Sequence, residues 1–270
     1  MAITSTSNIV AGFQPICSFG KALSGTLVVG RPHTYWGVAG VPGAGTWDNT
    51  LNGVVLSSTS APVLGQLHCT DPVSGNQHLS TVVASATQSG TLWILDRLWH
   101  NGGITITSTS SQSITSPTWP ARDDNGATLG DGLLCGVEVS SATGAGTPTI
   151  TIGYTNSANT SGRTATNWVP TVASSIAGTF YPVGLQSGDK GIRSIQSITL
   201  SATWTSGTIN VVVYRILGMI LINQPSGGGM VDGITGGLGQ MFNGTVPYFV
   251  FLPTATTSSS IWGAAVYTRG

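Results

Sequence analysis

The chain has 270 residues with nine basic and nine acidic side chains, so 7% of it is charged and its formal net charge is zero. An ordinary soluble domain is about 25% charged. Neither net charge nor interspersed charge therefore protects the surface against association. Balanced charge also excludes the basic surface of a nucleic-acid-binding protein. The composition predicts a protein whose surface is covered in large part by other subunits.

Disorder is excluded by the apolar content, although the chain contains 38 glycines. It is 40% hydrophobic and has eight tryptophans, whereas disordered chains have few aromatic residues and many charges. The length is sufficient for a core without a disulfide or a metal. Cys17, Cys69 and Cys135 are odd in number and unrelated in spacing, which predicts free, buried thiols.

The N-terminal residues lack the basic region and the continuous apolar run of a secretory signal. The most apolar stretch, residues 211–222, contains Arg215 and Gly218 and is too short to cross a bilayer. We therefore expect a soluble protein that is made in a cytoplasm and has no membrane partner.

Strand signals recur along the chain, whereas helix formers are rare, since Glu and Lys together number three. Apolar and hydroxyl residues alternate at 104–107 and 149–152, which indicates strands with one buried face. Short strands without crossover helices predict an all-β, antiparallel sandwich or barrel. The predicted strands are β-branched or aromatic runs bounded by turn residues, namely 81–84, 92–99, 104–109, 133–139, 147–154, 195–204 and 208–222.

Three zones are predicted from these patterns. Residues 1–50 hold few strand signals and suit an N-terminal arm with long loops, and residues 51–222 hold the strand series and form a β-sandwich core domain. Residues 223–270 begin with a glycine-rich linker at 224–229 and continue as an apolar C-terminal arm. This arm either lies on a neighbouring subunit or covers its own sandwich, and the sequence leaves both alternatives open.

Catalytic patterns are not found in the sequence. It has no G-x-S-x-G, and its four histidines, at positions 33, 68, 78 and 100, have no local pattern that indicates a catalytic triad. Glu138 is the only glutamate, and a polysaccharide hydrolase would need a second carboxyl on the other side of the scissile bond. We predict no catalytic residues and no enzymatic activity.

Metal and phosphate signals are equally weak, so we predict no metal and no cofactor. The residues at 123–126, with Asp131 nearby, are rich in oxygen ligands but lack the spacing of a calcium loop and read as a turn. His68 and Cys69 with His78 fit no common zinc module. The glycine-rich runs at 227–229 and 236–239 precede no helix that could bind a phosphate.

The tryptophans invite a sugar-binding interpretation, because aromatic faces stack on apolar rings. Trp93 and Trp99 lie in a run that is apolar on both faces, which predicts a buried strand whose Asp96 and Arg97 need partners. Five further tryptophans lie in Gly- and Pro-rich loops and are candidates for a subunit interface or a ligand surface: Trp36, Trp47, Trp119, Trp168 and Trp262.

Three segments carry a resemblance to a known group: LWILDRLWHNGG at 92–103, WPARDDNGA at 119–127 and GDKGIRSIQSITL at 188–200. The pattern resembles the virion structural proteins of tailed bacteriophages over about residues 90–222. The resemblance implies a β-sandwich, often of jelly-roll type, that coats or cements a capsid or lies at the head–tail junction. It covers neither the first 50 nor the last 45 residues.

Composition and resemblance together predict a non-enzymatic viral structural protein located in the virion. We expect it to form a homo-oligomer, a trimer or higher, to dock on other virion proteins such as the major capsid protein, and not to bind nucleic acid. The alternative is a carbohydrate-binding host-attachment module of a phage tail or spike, with loop tryptophans that stack on sugars.

Overall fold

The structure is a computed structural model that describes residues 5–23, 25–59, 61–68 and 70–270. These residues form one short helix, α1 (Thr6–Ala11), and seventeen strands. The first nine strands are β1 (Cys17–Ala22), β2 (His33–Thr34), β3 (Gly40–Val41), β4 (Val54–Val55), β5 (Gln77–Ala86), β6 (Gly90–His100), β7 (Gln112–Ser113), β8 (Leu134–Ser141) and β9 (Ile150–Asn156). The others are β10 (Arg163–Asn167), β11 (Phe180–Gly184), β12 (Ile192–Leu200), β13 (Thr208–Ile222), β14 (Gly228–Asp232), β15 (Gln240–Met241), β16 (Pro247–Pro253) and β17 (Ser260–Arg269).

The chain divides into two compact units. Unit 1 consists of Met1–Thr46, Ser57–Asp96 and Ile216–Gly270, and unit 2 consists of Trp47–Leu56 and Arg97–Arg215. The boundaries fall within β6 and β13, so most of unit 2 is an insertion in the sequence between two strands of unit 1.

Unit 1 is an antiparallel sandwich with the strand order of a jelly roll. Sheet A has the order β14-β5-β17-β1-β3, and the strands of sheet B that belong to this unit have the order β2-β16-β6-β13. The eight main strands of this unit can be numbered from one to eight along the chain: β1, β2, β5, β6, β13, β14, β16 and β17. In these numbers, the order of the strands is 6-3-8-1 in sheet A and 2-7-4-5 in sheet B. This is the jelly-roll arrangement. The predicted all-β sandwich and its jelly-roll type are confirmed.

The core of unit 1 lies between these two sheets. Burial alternates along β5 and β17, so one face of sheet A points inward. Apolar side chains from β6, β13 and β16 meet that face, and the rings of Phe19 and Phe249 lie 4.3 Å apart. Each fully buried large apolar side chain contributes about 1.5–3 kcal/mol.

Unit 2 is built from an antiparallel sheet with the order β13-β8-β11-β10-β9-β12-β7. The pairing of β12 with β9 contains two register shifts, and such bulges bend a sheet. The inner face and the loop residues Ile104, Ile106 and Trp119 form one apolar cluster. Unit 2 therefore has a core of its own.

The strand predicted at 104–109 is wrong, although the predicted alternation of burial is present. Ile104 and Ile106 are buried and Thr105 is exposed. The segment is a loop, because the Gln112 side chain binds both the N–H and the carbonyl of Thr105, at 2.7 and 3.0 Å. A side chain thus takes the place of a neighbouring strand, which the alternation could not reveal.

The division into a core domain with two terminal arms differs from the observed units. β17 pairs with both β1 and β5 and is a central strand of sheet A. β16 is buried along almost its whole length and pairs with β6. β1, β16 and β17, which lie in the two segments predicted to be arms, are therefore core strands of unit 1, because they complete the two sheets. Contact of these segments with a neighbouring subunit stays a prediction.

The glycine-rich segment at 224–229 is a turn that leads into β14 rather than a linker. A Cβ atom at Gly229 would lie 2.5 Å from both the Ile220 side chain and the Leu221 carbonyl oxygen. The glycine is required by this close approach of the backbone. Within the described part of the chain, no helix is long and apolar enough to span a membrane.

Removal of residues 224–270 is expected to unfold unit 1, since it deletes β14, β16 and β17 from both sheets. Far-UV circular dichroism and limited proteolysis of the 77–96 region would show the loss. Deletion of residues 1–12 is the matched control, because helix α1 has no buried residue. A shortened chain that still protects 77–96 from protease would contradict the expectation.

Candidate functional site

Charged side chains are even scarcer on the surface than in the sequence. Seven of the eighteen charged residues are buried, which leaves eleven on an accessible surface of 10,793 Å². This is about one charge per 1,000 Å², where an average composition gives about one per 160 Å². Unit 1 has only six charged residues, of which Lys21 and Asp96 are buried and four are partly exposed: Arg31, Asp71, Asp232 and Arg269.

Lys21 is one of the two buried charged residues of unit 1. Its ammonium group donates to the carbonyl oxygens of Tyr35, Val38 and Gly43, at 2.9, 3.0 and 3.4 Å. Burial lowers the pKa of Lys21 to about 8. This cation holds the 35–43 segment together and contributes nothing to the charge of the surface.

Exposed hydrophobic side chains are concentrated in unit 1, the unit with fewer charged residues. Among the described residues, nineteen large hydrophobic side chains are exposed, and fifteen of them belong to unit 1. Scattered exposed apolar residues are normal, but a contiguous apolar patch marks an interaction surface.

Sheet A gathers several of them on its outer side. The side chains that point away from the core form rows across the strands, because paired residues lie side by side. One row is Met230, Val83, Ala264 and Ser18, and the next is Gly228, Ser85, Trp262, Gly20 and Val41. We define the apolar sheet face by its five exposed hydrophobic residues, which are between 40% and 69% exposed: Ile16, Val41, Val83, Met230 and Trp262.

Gly20 makes a hollow in this face. It lies between Trp262 and Val41 in its row, and a Cβ atom built on it would meet nothing within 4 Å. None of the described residues covers this position. The indole of Trp262 thus stands beside an open depression.

Asp232 is the only charged residue in the paired rows of the apolar sheet face. It pairs with Thr81 at the outer edge of sheet A. Its carboxylate accepts hydrogen bonds from the N–H groups of Ile234 and Thr235, both at 2.8 Å, and from the Thr235 hydroxyl at 2.5 Å. These bonds lower the pKa of Asp232. Its charge is therefore solvated by its own loop and demands no external partner.

A second exposed apolar stripe runs along the part of β13 that belongs to unit 1. Ile216, Met219 and Leu221 are exposed, while Leu217, Ile220 and Ile222 face the core. This stripe is narrower than the apolar sheet face, because it lies on a single strand.

Glu138, the glutamate considered for catalysis, is sealed inside unit 2. Its carboxylate receives two hydrogen bonds from the Arg97 guanidinium, at 2.8 and 2.7 Å, and a third from the Trp47 indole N–H at 3.1 Å. Both charged side chains are fully buried. A general acid or base must reach its substrate, whereas this carboxylate is held by a bidentate pair. Glu138 is a structural partner of Arg97, which confirms the prediction that Arg97 needs one.

His100 extends this buried cluster. The Nε of Arg97 donates to Nδ1 of His100 at 2.9 Å. Burial, and secondly the charge of Arg97, lower the pKa of His100 to about 2. The imidazole is therefore neutral and accepts this hydrogen bond, as a structural element of the cluster.

The acidic segment at 123–131 is a loop organised by a buried carboxylate. Asp123 accepts hydrogen bonds from the backbone N–H groups of Asn125, Ala127 and Gly130, at 2.9, 2.7 and 3.1 Å. Asn125 in turn donates to Asp131 at 3.2 Å. Among the residues described, no group of three His, Cys, Asp or Glu side chains could hold a metal ion. The Gly126 N–H donates to the Asp123 carbonyl oxygen at 2.9 Å, so residues 123–126 form the predicted turn.

The histidines and cysteines do not come together as a site. His68 is exposed, with Nδ1 3.2 Å from the Gln66 amide, and His78 is partly buried on β5. Cys69 lies outside the described residues. Cys17 and Cys135 are free thiols, of which only Cys135 is buried. The prediction of free thiols holds for these two, and the prediction of burial holds for one.

Two of the five loop tryptophans are wrong as surface candidates. Trp36 and Trp119 are fully buried, and their indole N–H groups donate to the carbonyl oxygens of Thr46 and Ile192. Trp47 is partly buried against Glu138, and only Trp168 and Trp262 are exposed. Of the two tryptophans predicted to be buried, Trp99 is buried and Trp93 is partly buried. A loop position did not imply exposure, because these loops pack onto their own units.

Sequence reasoning missed a polar cluster on unit 2. Asp189 accepts hydrogen bonds from Nε and Nη2 of Arg163, both at 2.9 Å, from the Asn156 amide at 2.6 Å and from the Tyr154 hydroxyl. Arg163 above all lowers the pKa of Asp189 to about 2. These residues are 26 to 35 positions from Asp189, so local spacing could not reveal them. The cluster joins β9 and β10 to the loop before β12.

Sequence reasoning also missed the apolar sheet face, although a signal for it exists. Residues 81–86 and 261–266 contain apolar side chains at both odd and even positions, so these strands are apolar on both sides. In a two-layer sandwich, one of those sides has to lie outside the core.

Unit 1 contains a cavity of about 210 Å³ that is open to solvent on one side. No charged residue lines it. The lining residues come from α1, β5, β17 and the loop after β14, namely Ile9, His78, Leu79, Ser80, Gly233, Ile234, Leu238 and Thr268.

No family model matches the chain, and no curated protein matches it. Among solved structures, it is similar to the VP2 subviral particle of infectious bursal disease virus, with 10% sequence identity over 95% of this chain and 81% of that chain, at a TM-score of 0.20. A structure of the Gx strain of the same virus has 12% identity over 93% of this chain and 63% of that chain, at a TM-score of 0.18. These scores are too low to carry a fold or a function across.

The substitution Glu138→Gln is expected to lower the free energy of unfolding by about 3–5 kcal/mol, because it leaves the Arg97 cation buried without its counter-charge. Urea denaturation measures this loss. The double variant Arg97→Met with Glu138→Leu is expected to lose less than the single variant, since it removes both buried charges. A loss below about 0.5 kcal/mol for Glu138→Gln would contradict the proposed structural role.

Stability is expected to fall as the pH drops below about 6.5, where the unfolded state begins to protonate His100 and the folded state does not. The unfolded state then binds more protons, and His100 contributes a slope of up to about 1.4 kcal/mol per pH unit. Chemical denaturation between pH 7.5 and 4.5 is the measurement. His100→Gln should remove this contribution, whereas His68→Gln at an exposed position should retain it. Equal slopes in both variants would contradict the assignment.

Proposed function

We propose that this chain is a non-enzymatic structural protein of a virion, which self-associates and decorates or cements the virion shell in the capsid or head–tail region. The observation that carries the proposal is the surface of unit 1. Of its six charged residues, two are buried and four are partly exposed, whereas fifteen of its described large hydrophobic side chains are exposed. A surface of this kind is suited to contact with protein rather than with water.

Association stabilises such a chain by mass action, because a partner that binds only the folded state shifts the folding equilibrium toward it. Few charges also mean that little electrostatic repulsion opposes the approach of identical copies. Both effects favour a homo-oligomer, which we propose to be a trimer or a larger assembly. The jelly-roll fold is found in viral capsid domains, and this support is an analogy of fold.

The proposed partners are further copies of the chain and other virion proteins such as the major capsid protein. Nucleic acid is not among the proposed partners, because phosphate binding depends on clustered Lys and Arg side chains. The chain has nine such residues, and four of them, Lys21, Arg97, Arg122 and Arg215, are buried. We propose no membrane partner and no cofactor, and the protein would be made in the cytoplasm of the host cell.

The alternative is a carbohydrate-binding host-attachment module of a phage tail or spike, and Trp168 favours it. This side chain lies in unit 2 and is 56% exposed, and an exposed indole can stack on a sugar ring. Lectin domains also use the jelly-roll fold. Trp36 and Trp119 no longer support this alternative, since both are buried.

Light scattering of the purified protein over a range of concentrations tests self-association. We expect a mass that is a multiple of the 27.5 kDa of one chain and that grows with concentration. A monomer at the highest attainable concentration would overturn the proposal.

Trp168→Ser distinguishes the two functions. If the chain is an assembly protein, this variant should keep the mass of the wild-type oligomer, because Trp168 lies outside unit 1. If the chain is a lectin, the same variant should lose retention on an immobilised host glycan while the oligomer survives. Glycan retention by the wild type that disappears in Trp168→Ser would establish the alternative.

A further inference from the structure

We propose that two copies of the chain pack face to face through the apolar sheet face, with Trp262 of each copy seated in the hollow above Gly20 of the other. This inference rests on the proposed self-association and names one of its contacts, because a twofold pair closes at two copies and a larger assembly needs a further surface. The occupant of the face is thus a second copy of the same chain.

The area of the apolar sheet face suits such a contact. The face spans up to five strands that lie about 4.8 Å apart and three rows of outward side chains, the third row being Asp232, Thr81 and Val266, or about 400 Å² in projection. A standard interface buries about 800 Å² of accessible surface on each partner. Because side chains make the accessible surface larger than its projection, the face supplies at least about half of the area of a standard interface.

The charge on the face favours an identical partner. Its paired rows contain no cation, and their single carboxylate, Asp232, is solvated by its own loop. A charged partner would lose hydration without gaining an opposite charge. Two identical copies bring together apolar and hydroxyl side chains and no unpaired charge.

The shape of the apolar sheet face is self-complementary. Trp262 projects from the row in which Gly20 leaves open space, and Val41 lies on the far side of the hollow. In an isologous pair, a projection that enters a hollow on the partner is matched by the same contact in reverse. Sheets that pack face to face lie about 10 Å apart, a distance that outward-facing Trp and Val side chains can fill.

The edges of sheet A are poor alternatives for association. At one edge, β3 is only two residues long and Pro42, which has no N–H to donate, follows it. At the other edge, β14 has five residues and ends at the charged Asp232. Short edge strands and charged side chains at an edge hinder the addition of a strand from another chain, so the broad face is the better surface for a partner.

Two substitutions test the inference in the full-length chain by sedimentation velocity and light scattering. Trp262→Ser removes the central aromatic side chain and should weaken association by about thirtyfold, as loss of an interface hot spot does. Gly20→Val fills the hollow and should weaken association as strongly. Because Gly20 has open space above it and valine favours strands, this variant should unfold at the same temperature as the wild type or higher.

Two matched variants in unit 2 serve as controls. Trp168→Ser removes an exposed tryptophan, and Gly184→Val adds a side chain to β11, where a Cβ atom would meet only the Thr166 carbonyl oxygen at 3.8 Å. Both should associate as the wild type does. An oligomer that both Trp262→Ser and Gly20→Val leave unchanged would overturn the sheet-face contact but leave self-association intact, whereas a monomeric wild type would overturn the proposed function itself.

Discussion

A sheet in a two-layer sandwich can bury only one of its faces within its own chain, and this constraint governs unit 1. Its strands β5 and β17 carry apolar side chains on both faces. One set forms the core with sheet B, and the other, which includes Val83 and Trp262, remains in contact with water. These outer side chains can be removed from water only by contact with a partner, and that contact would gain the free energy of their burial.

The placement of charge reinforces this constraint. Unit 2 has twelve charged residues, of which five are buried, whereas unit 1 has six charged residues, of which two are buried. In unit 2, the pair of Arg97 and Glu138 joins β6 to β8 deep in the core, and breaking it would leave a buried ion. Seven of the eighteen charged residues are therefore not available to keep the protein in solution. Glu138, the only glutamate in the sequence, is a structural residue because it neutralises the buried Arg97 cation.

Predictions from local pattern succeeded where one strand or one turn carried the whole signal. The strand at 208–222 has the predicted bounds, and the residues at 123–126 form the predicted turn around Asp123. They failed where a contact outside the strand or turn decided the outcome. In the loop at 104–109, the Gln112 side chain takes both backbone hydrogen bonds of Thr105. Trp36 and Trp119 are buried, and their N–H groups donate to the carbonyl oxygens of Thr46 and Ile192.

By itself, the sequence determined the all-β class, the antiparallel character, the scarcity of surface charge and the need of Arg97 for a partner. These are properties of composition and of alternation along single strands, which are local. Only the tertiary structure decided that β1, β16 and β17 are core strands, that unit 2 is inserted between β6 and β13, and that Trp262 and Gly20 share a row. Pairing between strands joins residues more than two hundred positions apart, and no local pattern specifies which strand lies beside which.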